Sequence, residues 1–259
     1  MNRRQFTKSG AGVLLSSSMK GAPAKRSVLE MRYLKLRTGA DNQMQRASDF
    51  LAKGALPALQ RAGGGPVGFF ASVIAPESPF ILTVAQFPSL AAMETIREKQ
   101  AADPEYAKAR EAYTAGSEPS YQRLESSLLR CFESIPGMEV PPSNQKGSSR
   151  IFELRMYESS STSTLARKIK MFNEGEIAIF RKLGMRPVFF GETLVGSKMP
   201  NLTYMLAFDS LAARESAWSA FGSDPEWKEL RSKPGNSDAE LVSNISNAIL
   251  RPLPFSPIR

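Results

Sequence analysis

Histidine is absent from the 259-residue chain, and cysteine occurs once, as Cys131. The first absence excludes serine–histidine and cysteine–histidine nucleophiles, histidine-held zinc or iron, and a histidine axial ligand to haem. Acid–base work would fall to Glu, Asp, Lys, Tyr or water. A lone cysteine cannot form an intramolecular disulfide or a thiolate metal site. Its setting, "LLRCFE", reads as an apolar strand with a buried, inert thiol. Nor is there an apolar run of the roughly 20 residues that a membrane-spanning helix needs. A metal- or cofactor-dependent site is therefore not expected.

Net charge is also modest once the first residues are set aside. "MNRRQFTKSG" carries Arg3, Arg4, Phe6 and Lys8 in the spacing of a twin-arginine export signal, followed by a weakly apolar stretch and an A-x-A pattern at 22–24. Residues 1–24 thus read as a signal cleaved near Ala24, leaving a periplasmic protein. That cleavage removes four basic residues and no acid, so the formal charge falls from +9 to +5. The remaining charges alternate in sign along the helical segments, without the one-sided basic stripe of a nucleic-acid binder. Neither nucleic acid nor a membrane span is expected.

What the chain does have is a repeat. "DPEY" at 103–106 returns as "DPEW" at 224–227, a separation of 224 − 103 = 121 residues. Nearly the same offset aligns "FPSLAAMET" with "FDSLAARES", "LLR" with "ILR", and "LEMRY" with "FELRM". The chain therefore divides into two units, at 27–133 and 150–259, joined by a Pro/Gly/Ser-rich linker at 134–149.

Each unit shows the same succession. In unit one, 28–36 alternates as a strand and 41–63 has helical spacing. Residues 68–75 and 80–87 are β-rich runs, 89–102 is a helix capped by Ser89, 103–113 continues it, and 121–132 closes as a strand. The order β-α-β-β-α-β is a ferredoxin-like arrangement, so the fold class is α+β. The repeated phrase starts a helix: Asp103 and Asp224 as N-caps, Pro104 and Pro225 at the first helical position, Glu105 and Glu226 near the positive helix end. Tyr106 and Trp227 then anchor it. The glycine-rich "AGGGPVG" at 62–68 lacks P-loop spacing and precedes a strand, so it reads as a helix stop.

The first-strand "LEMR" and "FELR", the F-x-S-L-A-A-x-E helix entry, the D-P-E-aromatic phrase and the closing "ILRPLPFSP" together resemble the NIPSNAP domain, present in tandem. The resemblance covers nearly all of 27–259 and implies the dimeric α+β barrel fold, formed here within one chain. Unit two is the nearer match, with Arg214 and Trp227 where unit one has Met93 and Tyr106. The resemblance implies a fold more than an activity; because no acid–base pair with a convincing partner and no triad-like constellation stands out, a non-catalytic module that binds a small molecule or a partner protein is expected. The alternative the resemblance implies is a cofactor-independent monooxygenase- or isomerase-like enzyme.

Candidate site residues come from strand parity. Leu29, Met31 and Tyr33 share one face, as do Phe152, Leu154 and Met156, and this apolar set is expected to pack under the helices. The other face carries Glu30 and Arg32 in unit one, and Glu153, Arg155 and Tyr157 in unit two. With the sheets facing each other, these charges would lie inside. They would form a salt-bridge network between units, line a polar cavity in which Arg32 or Arg155 holds an anionic or carbonyl-bearing ligand, or face water. Arg214 and Trp218, four apart on a helix, read as an arginine stem over an indole and are also ligand candidates. Edge strands left open by each unit would allow a homo-oligomer.

Overall fold

The computed structural model describes residues 25–39, 41–142 and 150–259. The proposed export signal and the second half of the linker lie outside these. Unit one runs β1 (Val28–Lys35), α1 (Gln43–Phe50), α2 (Leu56–Arg61), β2 (Val67–Ile74), β3 (Phe80–Phe87), α3 (Leu90–Ala101), α4 (Pro104–Thr114) and β4 (Arg123–Cys131). Unit two runs β5 (Ile151–Glu158), α5 (Thr162–Met171), α6 (Ile177–Lys182), β6 (Arg186–Val195), β7 (Asn201–Phe208), α7 (Leu211–Ser223), α8 (Pro225–Ser232), α9 (Asp238–Leu241) and β8 (Asn244–Pro252).

The repeated signals act locally as their chemistry requires. Asp103 accepts from the Tyr106 amide at 3.0 Å, and Asp224 from the Glu226 and Trp227 amides at 2.9 and 3.1 Å. Ser89 and Ser210 cap α3 and α7 in the same way. The glycine-rich stretch ends α2: Gly63, at φ 87°, donates to Gln60, and Gly64 donates to Leu59. Gly184 and Met185 repeat this stop after α6. In both units the first helix widens into a π segment, Leu51–Ala55 and Phe172–Glu176. Each holds a glycine against the helix that the repeated phrase begins. A Cβ on Gly54 would stand 2.7 Å from Ala109, and one on Gly175 would stand 3.0 Å from Leu230.

All eight strands form one closed antiparallel barrel in the order β1-β3-β2-β8-β5-β7-β6-β4. The halves join edge to edge, β2 on β8 and β4 on β6, rather than sheet face to sheet face. Closure uses up the edges, so the expected route to an oligomer through open strand edges is not available. The ring pair Phe70–Phe152, 4.8 Å between centroids, crosses the interior from one unit to the other.

Closure also reverses the expected facing of β1 and β5. Leu29, Met31, Phe152 and Leu154 point into the barrel and pack with Phe70, Leu82, Leu129, Phe189 and Leu250. Glu30, Arg32, Glu153, Arg155 and Tyr157 lie on the outer face, beneath the helices. Polarity misled because both faces of a barrel strand are covered here. The interior, filled by side chains from all eight strands, takes the apolar set. The helix side accommodates charge because α3 and α7 bring partners for it.

The first part of the connector, up to Pro142, packs against the barrel. Ile135 is fully buried, Ser27 donates to the Pro136 carbonyl, and Glu139 donates to that of Val188. With Met138 and the C-terminal Ile258, this segment stoppers one end of the barrel. Cys131 is buried in β4, where burial pushes its thiol up to about 12, so it is no nucleophile.

Candidate functional site

Five of the seven sequence candidates meet under α7 of unit two. Glu153, fully buried, accepts from Arg155 Nη1 at 2.9 Å and from Arg214 Nε and Nη2 at 2.9 and 2.6 Å. It also accepts from the Trp218 indole at 2.7 Å. Burial raises this carboxyl, but the Arg214 bonds, the Arg155 charge and the indole reverse that, holding it below the ordinary value. The stacking partner of Trp218 is Arg155, 4.5 Å from the ring, and not Arg214 as helix spacing suggested. Arg155 also donates to the Tyr157 hydroxyl at 3.2 and 3.3 Å, and Tyr204 donates to it at 2.9 Å. Burial raises both phenols.

Sequence reasoning missed the rest of this array. Lys168 on α5 is buried among the rings of Tyr157, Phe172 and Trp227, with its ammonium 3.1 Å from Glu176 and 3.3 Å from Asp238. Burial lowers its pKa and the two carboxylates raise it further than that, so it stays charged. In sequence it sits among Arg167 and Lys170 and looks solvated.

Glu30 and Arg32, the other two candidates, form a reduced version in unit one. Arg32 Nε donates to Glu30 at 2.8 Å, and Arg97 of α3 completes the pairing. By the repeat, Arg97 occupies the place of Trp218. Where unit two has Tyr157, Tyr204, Lys168 and Glu176, unit one has Leu34, Thr83, Ala47 and Ala55. The same fold is therefore built without these groups. None of the seven candidates bridges the units.

The space that does lie between the units is at the barrel's other end. A cavity of about 590 Å³ opens there, within the size range of small-molecule pockets. Met31, Phe80, Leu154, Met156 and Ala248 give it apolar walls from both units. Its polar groups are Tyr33, Lys35, Glu77, Glu125, Lys198, Asn247 and several serines. Burial, with Glu125 second, raises the Tyr33 phenol, which stays protonated at neutral pH. Parity placed Met31 and Tyr33 under helices, so a cavity behind them was not expected. Among the described residues no group of three His, Cys, Asp or Glu side chains is placed to hold a metal ion, and no helix is long and apolar enough to cross a membrane.

An eight-stranded antiparallel barrel of two ferredoxin-like halves, with helices outside, is a dimeric α+β barrel, here closed within a single chain. Residues 152–257, within the second unit, match the NIPSNAP family model. Two crystal structures named "putative monooxygenase" resemble the whole barrel. That from Fusobacterium nucleatum is 7% identical, with a TM-score of 0.58, over 89% of this chain and 94% of the other. That from Lactobacillus acidophilus is 9% identical, with a TM-score of 0.58, over 87% and 93%. An uncharacterised NIPSNAP-like domain protein from Burkholderia xenovorans is 28% identical over 42% of this chain and 89% of its own, with a TM-score of 0.37. No curated protein matches the chain.

Proposed function

We propose that this protein is a non-catalytic small-molecule-binding module whose site is the open mouth of the barrel, exported under the signal in its first 24 residues. The observation that carries the reading is the cavity: one barrel end is stoppered by Met138 and Ile258, while the other keeps about 590 Å³ between apolar walls and a polar rim. A concave mouth of this size with mainly apolar walls and a few polar groups at its rim has the character of a small-molecule site. Both units contribute to the lining, so the cavity exists only in the closed two-unit barrel.

The competing reading is a cofactor-independent monooxygenase- or isomerase-like enzyme, suggested by the names of the two structures that share the whole-barrel fold. The rim weighs against it. Its charged side chains are arranged as separate ion pairs, Lys35 with Glu77 at 3.0 Å and Glu125 with Arg123 at 3.1 Å, and not as an acid and a base converging on one point of the cavity.

Native mass spectrometry of the full chain purified from its own host is expected to show a retained small molecule. Ser246→Trp, which places an indole in the cavity, is expected to remove it. An adduct unchanged in Ser246→Trp would overturn the mouth as its site. No adduct, together with no thermal stabilisation by any of a panel of amphipathic small molecules, would overturn the binding reading.

A further inference from the structure

If the barrel mouth holds a small molecule, the chemistry of its rim also selects the charge of that molecule, a conclusion that rests on the small-molecule reading. Lys35 ends β1, and its side chain is the most buried charge in the lining, 10% exposed. Its ammonium lies 5.0 Å from the Tyr33 ring centroid and 4.8 Å from that of Phe80. Its ion-pair partner is of a different kind. Glu77 stands on the β2–β3 loop at φ 55° with its side chain 61% exposed. Lys35 is held by two rings of the wall, whereas Glu77 is already largely in water and can turn back into it at little cost.

The second unit repeats this device with the charges exchanged. Lys198, at φ 57° on the β6–β7 loop, occupies the place of Glu77, and Glu158, ending β5, that of Lys35. These two stand 3.9 Å apart, and Glu158 also accepts from Asn244 at 2.8 Å. Lys198 lines the cavity and Glu158 does not, so the exchange brings a second cation to the rim. Of the two acids in the lining, Glu77 is mostly solvated and Glu125 is held by Arg123.

We propose that the ligand is an amphipathic anion that enters tail first, its apolar body against Met31, Leu154, Met156 and Ala248, its head taking the place of Glu77 on Lys35. Lys198 closes on the same head from the facing loop. The protonated Tyr33 hydroxyl offers a further donor on the Lys35 side. A cationic head would meet Lys35 and Lys198 instead, and would have only solvated acids to pair with.

Calorimetric titration of the full chain with dodecanoate, dodecylamine and 1-dodecanol at pH 7.5, below their aggregation thresholds, tests this. Dodecanoate is expected to bind at least tenfold more tightly than dodecylamine. The double variant K35E/E77K keeps an ion pair and copies the polarity that unit two already uses at Glu158 and Lys198. It is expected to lose at least tenfold in dodecanoate affinity and to gain in affinity for dodecylamine. Lys35→Met, which keeps the length of the stem, gives a second route: dodecanoate weakens at least tenfold and 1-dodecanol is unchanged. Equal binding of all three, unmoved by either variant, would overturn the anion assignment and leave the small-molecule reading standing. No binding of any of the three to the wild-type chain would overturn both.

Discussion

Replacing Glu153 by alanine is expected to destabilise the fold by about 3–5 kcal/mol, the range for breaking a buried ion pair from one side. The loss arises less from the bonds removed than from what is left behind. Arg155 and Arg214 would keep their charges under α7, and the Trp218 indole would lose its acceptor. Urea unfolding at pH 7 reads this as a lower midpoint with an unchanged slope. Glu30→Ala is expected to lose less, because Arg32 is already more than a third exposed and can return to water. The pH dependence has a definite sign. The folded-state pKa of Glu153 is depressed, so its contribution is present above the unfolded value, near 4.3, and is lost as pH falls through the folded value. The gap between wild type and Glu153→Ala should therefore be full at neutral pH and narrow below about pH 4. A gap that persists undiminished at lower pH would show that the carboxylate charge is not what α7 packs against.

Lys168→Ala is the second large effect, about 3–5 kcal/mol, since it leaves Glu176 fully buried without its cation. Burial already raises the Glu176 carboxyl, and Lys168 is the main group opposing that. Unit one supplies the control. Its residues at the corresponding places are Ala47 and Ala55, in the same first helix and around the same π segment. The double variant K168A/E176A should therefore regain much of the loss, with a coupling of about 2 kcal/mol or more in a double-mutant cycle. Additive losses would mean that the pair contributes separately to packing and that unit one is not a guide to unit two.

Most of the fold was readable because its signals are local. The two helix-starting phrases, the serine caps and the glycine stops act through their own backbone neighbours, and the repeat doubled each of them. What could not be read was which side of β1 and β5 faces the helices. Alternation tells which residues share a face, but in a closed barrel both faces are buried, and the charged one went beneath the helices because Arg97, Arg214 and Trp218 are there to meet it. This misplaced Glu30, Arg32, Glu153, Arg155 and Tyr157 at a seam between the units, and it left the cavity unseen.

The missed residues had a signal after all. Lys168, Glu176 and Tyr204 look unremarkable in their own segments, yet each differs in character from its repeat partner, Ala47, Ala55 and Thr83. The exchange of charge between Lys35 and Glu158, and between Glu77 and Lys198, is visible in the same comparison. In a duplicated chain the positions shared by both copies report the fold, and the positions at which the copies diverge report where they have been put to different use.

The cavity itself is tested most directly through its own methionines. With the chain labelled at the methionine methyls, addition of dodecanoate should shift the NMR signals of Met31 and Met156, which line the barrel mouth. Met171 and Met185, in the apolar layer between the sheet and helices of unit two, should not move. Shifts at Met171 and Met185 with Met31 and Met156 unchanged would put the ligand between sheet and helices and contradict the account.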